Sequence, residues 1–169
     1  YVRDARIAQI YEGANGIQAL DLVGRKMPQS FGRLLRRFFH PVQAFIEQNA
    51  GDETMAEFVM PLAKALAKLQ QSTASVAQKG LKNPIEAGAA SSDYLRQFAL
   101  VAMAYMWCKM VKVANAKLKE GGHGRTEFYE SKLHTARFFM ERMLPEADAR
   151  FKMVQAGASS LMALEEAQF

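Results

Sequence analysis

The sequence contains a single cysteine, Cys108, which excludes an intramolecular disulfide and any cysteine-built metal centre. Set inside an apolar run, that residue is expected to be small buried filler rather than a reactive thiol. Histidine is scarce as well. His40, His123 and His134 include no pair three or four residues apart, so no helical face offers two imidazoles to one metal, and no metal site is expected. Long hydrophobic runs are also missing. The longest, Phe98 to Cys108, is closed by Arg96 and Lys109 and falls well short of the roughly 20 residues that a bilayer requires. With no secretory signal either, the expectation is a soluble, cytoplasmic protein without a membrane partner. No glycine-rich turn is followed by the Lys-Ser/Thr pair of a phosphate loop, and no fixed-period repeat is visible. Five prolines and 11 glycines are too few for a loop-rich or β-rich architecture.

Strong helix formers fill every long segment, and half the residues are hydrophobic, which together indicate an all-α domain with a sizeable core. Residues 3–11 read as the end of a helical element. Gly13-Ala14-Asn15-Gly16 reads as a tight turn, with Asn15 capping a helix that carries Ile17, Leu20 and Val23. Met27-Pro28-Gln29-Ser30 should end it, with Ser30 capping the next helix, about 31–49, in which Pro41 predicts a kink or a new turn. Asp52 is the expected N-cap of a helix whose apolar positions Met55, Val59, Leu62, Leu66 and Leu69 recur at spacings of three and four, bent at Pro61 and stopped at Gly80. Asn83-Pro84 then opens a helix to about 119, interrupted at Gly88 and apolar over a wide arc from Tyr94, Leu95 and Phe98 to Tyr105, Met106 and Val113. Helices at about 126–143 and 146–165 follow, the first turning Leu133, Ala136, Met140 and Met143 inward. The pattern therefore predicts an antiparallel four-helix-bundle-like domain, residues 31–169, preceded by a short helical segment, residues 1–27. The chain opens on Tyr1 without an initiator methionine and is expected to be a piece of a longer protein.

Net charge is +5 with a pI near 9.4, which admits anionic partners without demanding them. Arg25, Lys26, Arg33, Arg36 and Arg37 cluster among Phe31, Phe38 and Phe39. This reads either as a solvated helix face over a buried aromatic one or as a phosphate-binding patch. Met103, Met106 and Met110 stand at helical spacing and are expected to fill the core. Among the carboxylates only Glu12 stands apart, at a turn between two helices and flanked by Tyr11 and Gly13. By position alone it is an acid near a helix N-terminus, a place the helix dipole favours by about 0.3–1 kcal/mol. The alternative is a side chain projecting into a cleft.

The string Arg3-Asp4-Ala5-Arg6-Ile7-Ala8-Gln9-Ile10-Tyr11-Glu12-Gly13-Ala14-Asn15-Gly16-Ile17-Gln18 closely resembles the catalytic-loop motif of the acyl-CoA dehydrogenases. Asn83-Pro84, Ala89-Ala90-Ser91-Ser92-Asp93-Tyr94-Leu95, Tyr105-Met106-Trp107 and Ala136-Arg137-Phe138-Phe139-Met140-Glu141-Arg142 resemble the C-terminal extension of the larger bacterial members, those similar to 3-methylmercaptopropionyl-CoA dehydrogenase. The resemblance implies a flavoprotein of fatty-acid metabolism, an oxidoreductase that introduces an α,β double bond into an acyl-CoA thioester. Glu12 is then the catalytic base and FAD the hydride acceptor. It also implies that residues 1–27 close the dehydrogenase helical domain and that residues 31–169 form the extension. Most of the FAD and acyl-CoA contacts then lie outside the chain, and the fragment alone is inactive. Ala14 and Gly16 fall at cofactor-binding positions, although many members carry threonine at the first and short-form members glutamine at the second. Each departure removes one neutral hydrogen bond, worth about 0.5–1.5 kcal/mol. The extension is expected to pack against the dehydrogenase body or a second subunit, as in a homo-oligomer, its apolar stripes filling that interface. A DNA-binding role, known from one related group, would fall to Arg33, Arg36 and Arg37.

Overall fold

The computed structural model describes residues 2–10 and 14–168, and among these there is helix and turn but no strand. A short helix α1 (Val2–Arg6) passes through a single 3₁₀ turn into Ile10, and α2 (Ala14–Asp21) runs into a π-helical turn, Leu22–Lys26. Five longer helices follow: α3 (Arg33–Asn49), α4 (Glu53–Lys82), α5 (Pro84–Lys119), α6 (Thr126–Phe138) and α7 (Glu146–Ala156). A π-helical turn, Phe139–Met143, joins α6 to α7.

The cross-helix contacts fix the topology. Thr73 meets Tyr94, Phe58 meets Cys108 and Thr54 meets Asn115, so α4 and α5 form an antiparallel hairpin closed by Asn83 alone. The α3 side chains Phe38 and Phe45 face Phe98 and Tyr105, which makes α3 parallel to α5. Trp107 faces Phe139, while Arg96 and Asp93 meet Glu146 and Arg150, so α6 and α7 run end to end along α5 in the opposite direction. The result is the up-down-up-down bundle anticipated from the periodicity, with a fourth rod broken into two helices. The helix α5 is its axis. It buries ten residues, including Tyr94, Val101, Ala104, Cys108 and Val111, and touches α2, α4, α6 and α7.

Local chemistry places the boundaries. The Asp52 side chain accepts from the Thr54 amide at 2.9 Å, and that of Asn83 accepts from Ile85 at 3.1 Å, the two expected N-caps. Other expectations are corrected. The helix α2 already includes Asn15, so this residue is not its cap. Ser30 does not cap α3. Ser30, Phe31 and Gly32 all hold positive φ (52°, 54° and 73°), and this left-handed turn lets α3 begin at Arg33, with Arg36 donating to the Phe31 carbonyl at 2.8 Å. Neither Pro41 nor Gly88 breaks its helix. Gly80 does not stop α4, which continues to Lys82; a Cβ there would stand 2.9 Å from the Ala87 Cβ, so its smallness serves the close approach of α4 and α5. The last helix ends at Ala156, well before 165, because Gly157 turns left-handed (φ 76°) and the Glu86 carboxylate accepts from the Ala158 amide at 3.1 Å. At the same end Lys79 donates to the Gln155 carbonyl at 2.8 Å.

The core is a continuous apolar cluster from Val23 and Met27 through Met55, Phe58 and Leu62 to Phe139 and Val154. Cys108 is fully buried and donates to the Phe58 carbonyl, and burial pushes its thiol up to about 12, which leaves it inert. Tyr94 is also fully buried, its hydroxyl 2.7 Å from Thr73 Oγ1 and raised by burial to about 12. Gln97, fully buried nearby on α5, has neither amide atom hydrogen-bonded.

Three substitutions test this packing by chemical denaturation. Gly80→Leu forces α4 and α5 apart and should cost about 1–3 kcal/mol. Gly88→Ala, whose added Cβ meets nothing within 4 Å, should stabilise by about 0.5–1 kcal/mol. Gln97→Met removes an unpaired amide from the core and should stabilise by about 1–3 kcal/mol.

Candidate functional site

Glu12 lies outside the described residues, together with Tyr11 and Gly13. The segments on either side of it are described. Val2 to Ile10 bury nothing, and α2 begins at once with Ala14, which is half-buried, followed by exposed Asn15, Gly16, Ile17 and Gln18. The helix α2 is held through Ala19, fully buried against the bundle, and then through Val23 and Met27 in the π turn and after it. Its opposite side presents Ile17 and Leu20, with Ile7 and Ile10 upstream, all about half exposed or more. An apolar face of this kind on the segment bearing the motif is a surface made to be covered.

Ala14 and Gly16 occupy the first turn of α2. No atom outside the local backbone comes within 4 Å of a Cβ built on Gly16. The two positions therefore allow a flat ring system to approach the open amides of a helix N-terminus, although neither supplies a side-chain hydrogen bond. Among the described residues nothing obstructs the approach of a flat group at Gly16.

Beside α2 the bundle holds an apolar cavity of about 660 Å³, between the π turn Leu22–Lys26, the start of α3, the end of α4 and the start of α5. Val23, Met27, Leu35 and Val76 wall it, and Gly24 and Gly88 leave it open. Its one hydroxyl, on Thr73, is engaged with the Leu69 carbonyl and with Tyr94. No sequence pattern announced this cavity, since its walls come from five separate elements.

The basic cluster divides in two. Arg25 chelates Asp21, with Nη2 to Oδ2 at 2.8 Å, and Lys26 lies 3.2 Å from the same carboxylate. Those hydrogen bonds hold the Asp21 carboxyl down at about 2. Arg33, Arg36 and Arg37 stand exposed on α3. His40 and His134 are exposed, and His123, in a glycine-bounded turn, lies 3.1 Å from Glu120. Among the described residues no group of three or more His, Cys, Asp or Glu is placed to hold a metal ion.

The methionines of α5 overturn an expectation. Met103, Met106 and Met110 are 45%, 52% and 38% exposed, and Val113 is 58% exposed. They line two adjoining shallow hollows that share Met106 and Met110, one beside Trp107 and the other beside the α6 residues Phe128, Tyr129 and Lys132. Met143, assigned inward from the same kind of spacing, is also exposed, at the end of the second π turn. The physical reason is that α5 has two apolar stripes. Val101, Ala104, Cys108 and Val111 face the bundle, and the methionine stripe lies on a different side of the same helix. Hydrophobicity alone does not tell which stripe is buried.

Similarity to known proteins defines the class. Residues 38–165 match the family described as acetyl-CoA dehydrogenase C-terminal like. The whole chain is 30% identical over 176 residues to a broad-specificity linear acyl-CoA dehydrogenase of Mycobacterium tuberculosis. It is 31% identical over 163 residues, 96% of the chain, to 3-methylmercaptopropionyl-CoA dehydrogenase of Ruegeria pomeroyi. A butyryl-CoA dehydrogenase of Syntrophomonas wolfei is 26% identical over 94% of the chain. The chain belongs to the acyl-CoA dehydrogenase C-terminal-like family, and it spans about 29%, 27% and 26% of the lengths of these three relatives.

One electrostatic knot ties the bundle together at the α5–α7 contact. Glu146 accepts from Arg96 at 2.9 Å and from Arg150 at 2.8 Å, and Arg150 also reaches Asp93 at 2.8 Å. Hydrogen bonds from Arg96 and then Arg150 hold the Glu146 carboxyl at about 2, below its ordinary 4.5. A carboxyl depressed in the folded state adds stability that is present above its unfolded pKa and lost as pH falls toward the folded value. Urea unfolding of the wild type should therefore lose stability between about pH 4.5 and 2, and Glu146→Gln should be weaker at pH 7 with a shallower loss over that window.

Proposed function

We propose that this chain is the C-terminal part of a flavin-dependent acyl-CoA dehydrogenase, with Glu12 as the catalytic base. The observation that carries the reading is the sixteen-residue motif Arg3 to Gln18, upstream of a helical domain of the matching family that begins at Phe38. Three relatives named as acyl-CoA dehydrogenases support it, as does the open first turn of α2. In this reading residues 1–27 complete the dehydrogenase body and residues 31–169 form the appended domain.

The thioester α-proton is weakly acidic. A carboxylate must be held within hydrogen-bond reach of it and shielded from water, where desolvation raises the carboxylate's pKa toward the working range. Glu12 is suited to this by its place between two helical segments, α2 being anchored through Ala19, Val23 and Met27. Bound FAD supplies the acceptor for the β-hydride. Ala14 and Gly16 give that cofactor room rather than hydrogen bonds, and the exposed apolar side chains of α1 and α2 meet the rest of the dehydrogenase body.

The test is anaerobic addition of acyl-CoA thioesters of graded chain length to the full-length, flavin-loaded protein. Bleaching of the flavin absorbance is the expected result, and Glu12→Gln should slow it by about 10²–10⁴-fold while leaving flavin content unchanged. An unbleached flavin with every thioester, or a Glu12→Gln variant that reacts at the wild-type rate, would rule out the assignment.

A further inference from the structure

Three thioethers and an indole share one hollow on α5. Met103, Met106 and Met110 stand at spacings of three and four, which at about 100° per residue sets them within an arc of roughly 60°. Trp107 falls beside the same arc. These four side chains, together with Ala102, line a hollow of about 310 Å³ whose walls include no charged residue. All three methionines are exposed, so their sulfurs are not spent on filling the core. The Trp107 ring is steadied by Phe139, the centroids lying 6.4 Å apart.

The walls offer one kind of ligand. Thioether sulfur is a soft, polarisable, uncharged donor, and it selects soft cations over the hard ones that ask for carboxylate or carbonyl oxygen. No His, Asp or Glu lines the hollow, so zinc, magnesium and calcium find no side-chain partner there. Positions three or four apart on a helix have Cβ atoms roughly 5–6 Å apart, a span that two flexible methionines can close around one ion. Met106 is common to both such pairs, with Met103 on one side and Met110 on the other. An indole is the strongest of the aromatic rings at attracting a cation to its face. The lysines of the adjoining hollow are drawn to other rings, Lys109 over Tyr105 at 5.5 Å and Lys132 over Phe128 at 5.2 Å. The one thiol, Cys108, belongs to the buried stripe and donates to the Phe58 carbonyl.

We propose that Met103, Met106 and Met110, flanked by Trp107, form a binding site for a soft monovalent cation, Cu(I). Met106 is the shared ligand. A thioether has no proton to lose, so the ion enters without displacing one. The site therefore keeps its affinity at a mildly acidic pH, where an imidazole or thiol site gives up its metal to protons.

The test titrates the chain with Ag(I), a redox-stable soft cation, in chloride-free buffer, and with Cu(I) kept reduced by ascorbate. Emission of Trp107, the single tryptophan, is the reporter. The expected result is a saturable quench at one equivalent of metal, with the same Ag(I) dissociation constant at pH 8 and pH 5. Met106→Leu should raise that constant at least tenfold, and Met103→Leu with Met106→Leu and Met110→Leu should abolish the quench. Leucine keeps the apolar bulk and the helix preference while removing the sulfur, so circular dichroism should remain that of the wild type. Cys108→Ala should leave the quench unchanged. Absence of saturable binding overturns the proposal and leaves the stripe as an apolar surface only. A quench that survives replacement of all three methionines overturns it, as does one that weakens tenfold between pH 8 and pH 5 or is lost in Cys108→Ala, since the ion then sits on imidazole or thiol. The methionine and pH arms decide the matter even where Cys108→Ala does not fold. Flavin bleaching in the full-length protein is read independently of all these outcomes.

Discussion

The close approach of α4 and α5 is the constraint on which the rest of the bundle depends. A hairpin of two helices, joined by one residue, can bury its facing side chains only if the backbones nearly touch at the closed end, and Gly80 against Ala87 permits this. From that point the ladder of contacts continues through Thr73 and Tyr94 to Phe58 and Cys108 and on to Thr54 and Asn115. With α5 fixed in this way, its remaining faces define where the other rods can lie. The aromatic cluster of Phe38, Phe39 and Phe98 seats α3, and the charged knot at Glu146 sets α7 in register.

Much of this was legible in the residues. The Asp52 and Asn83-Pro84 signals marked helix starts because a short side-chain oxygen next to free amides has one main use. The spacing of Met55, Val59, Leu62, Leu66 and Leu69 identified the inner face of α4, and all five are buried. What misled were residues whose local preference was overruled by tertiary contact. Gly80 has the chemistry of a helix stop but is used for its lack of bulk, and the positive φ of Ser30 and Phe31 is a conformation that neither residue prefers. Both stripes of α5 are apolar, and the position of its neighbours decides which is buried.

The candidate site was legible in another way. No spacing rule distinguishes Glu12 from any acid near a helix start; the assignment comes from the long motif around it. The structure adds the manner in which the segments around it are presented. Only α2 is anchored to the bundle, through Ala19 and the residues after it, while Ile7, Ile10, Ile17 and Leu20 face outward. The apolar cavity beside α2 was illegible because its walls come from several separate elements, and no single element's periodicity shows where their ends meet.

The π turn at Phe139–Met143 has its own effect on the fourth rod. A π turn closes its hydrogen bond over one residue more than an α turn, so it acts as a single-residue insertion where α6 gives way to α7. Each residue of an α-helix advances the side-chain direction by roughly 100°, and the extra one re-phases everything downstream. Ala136 on α6 and Ala147 and Val154 on α7 all reach the core across this turn. Both halves of the broken rod therefore keep a buried side against the core.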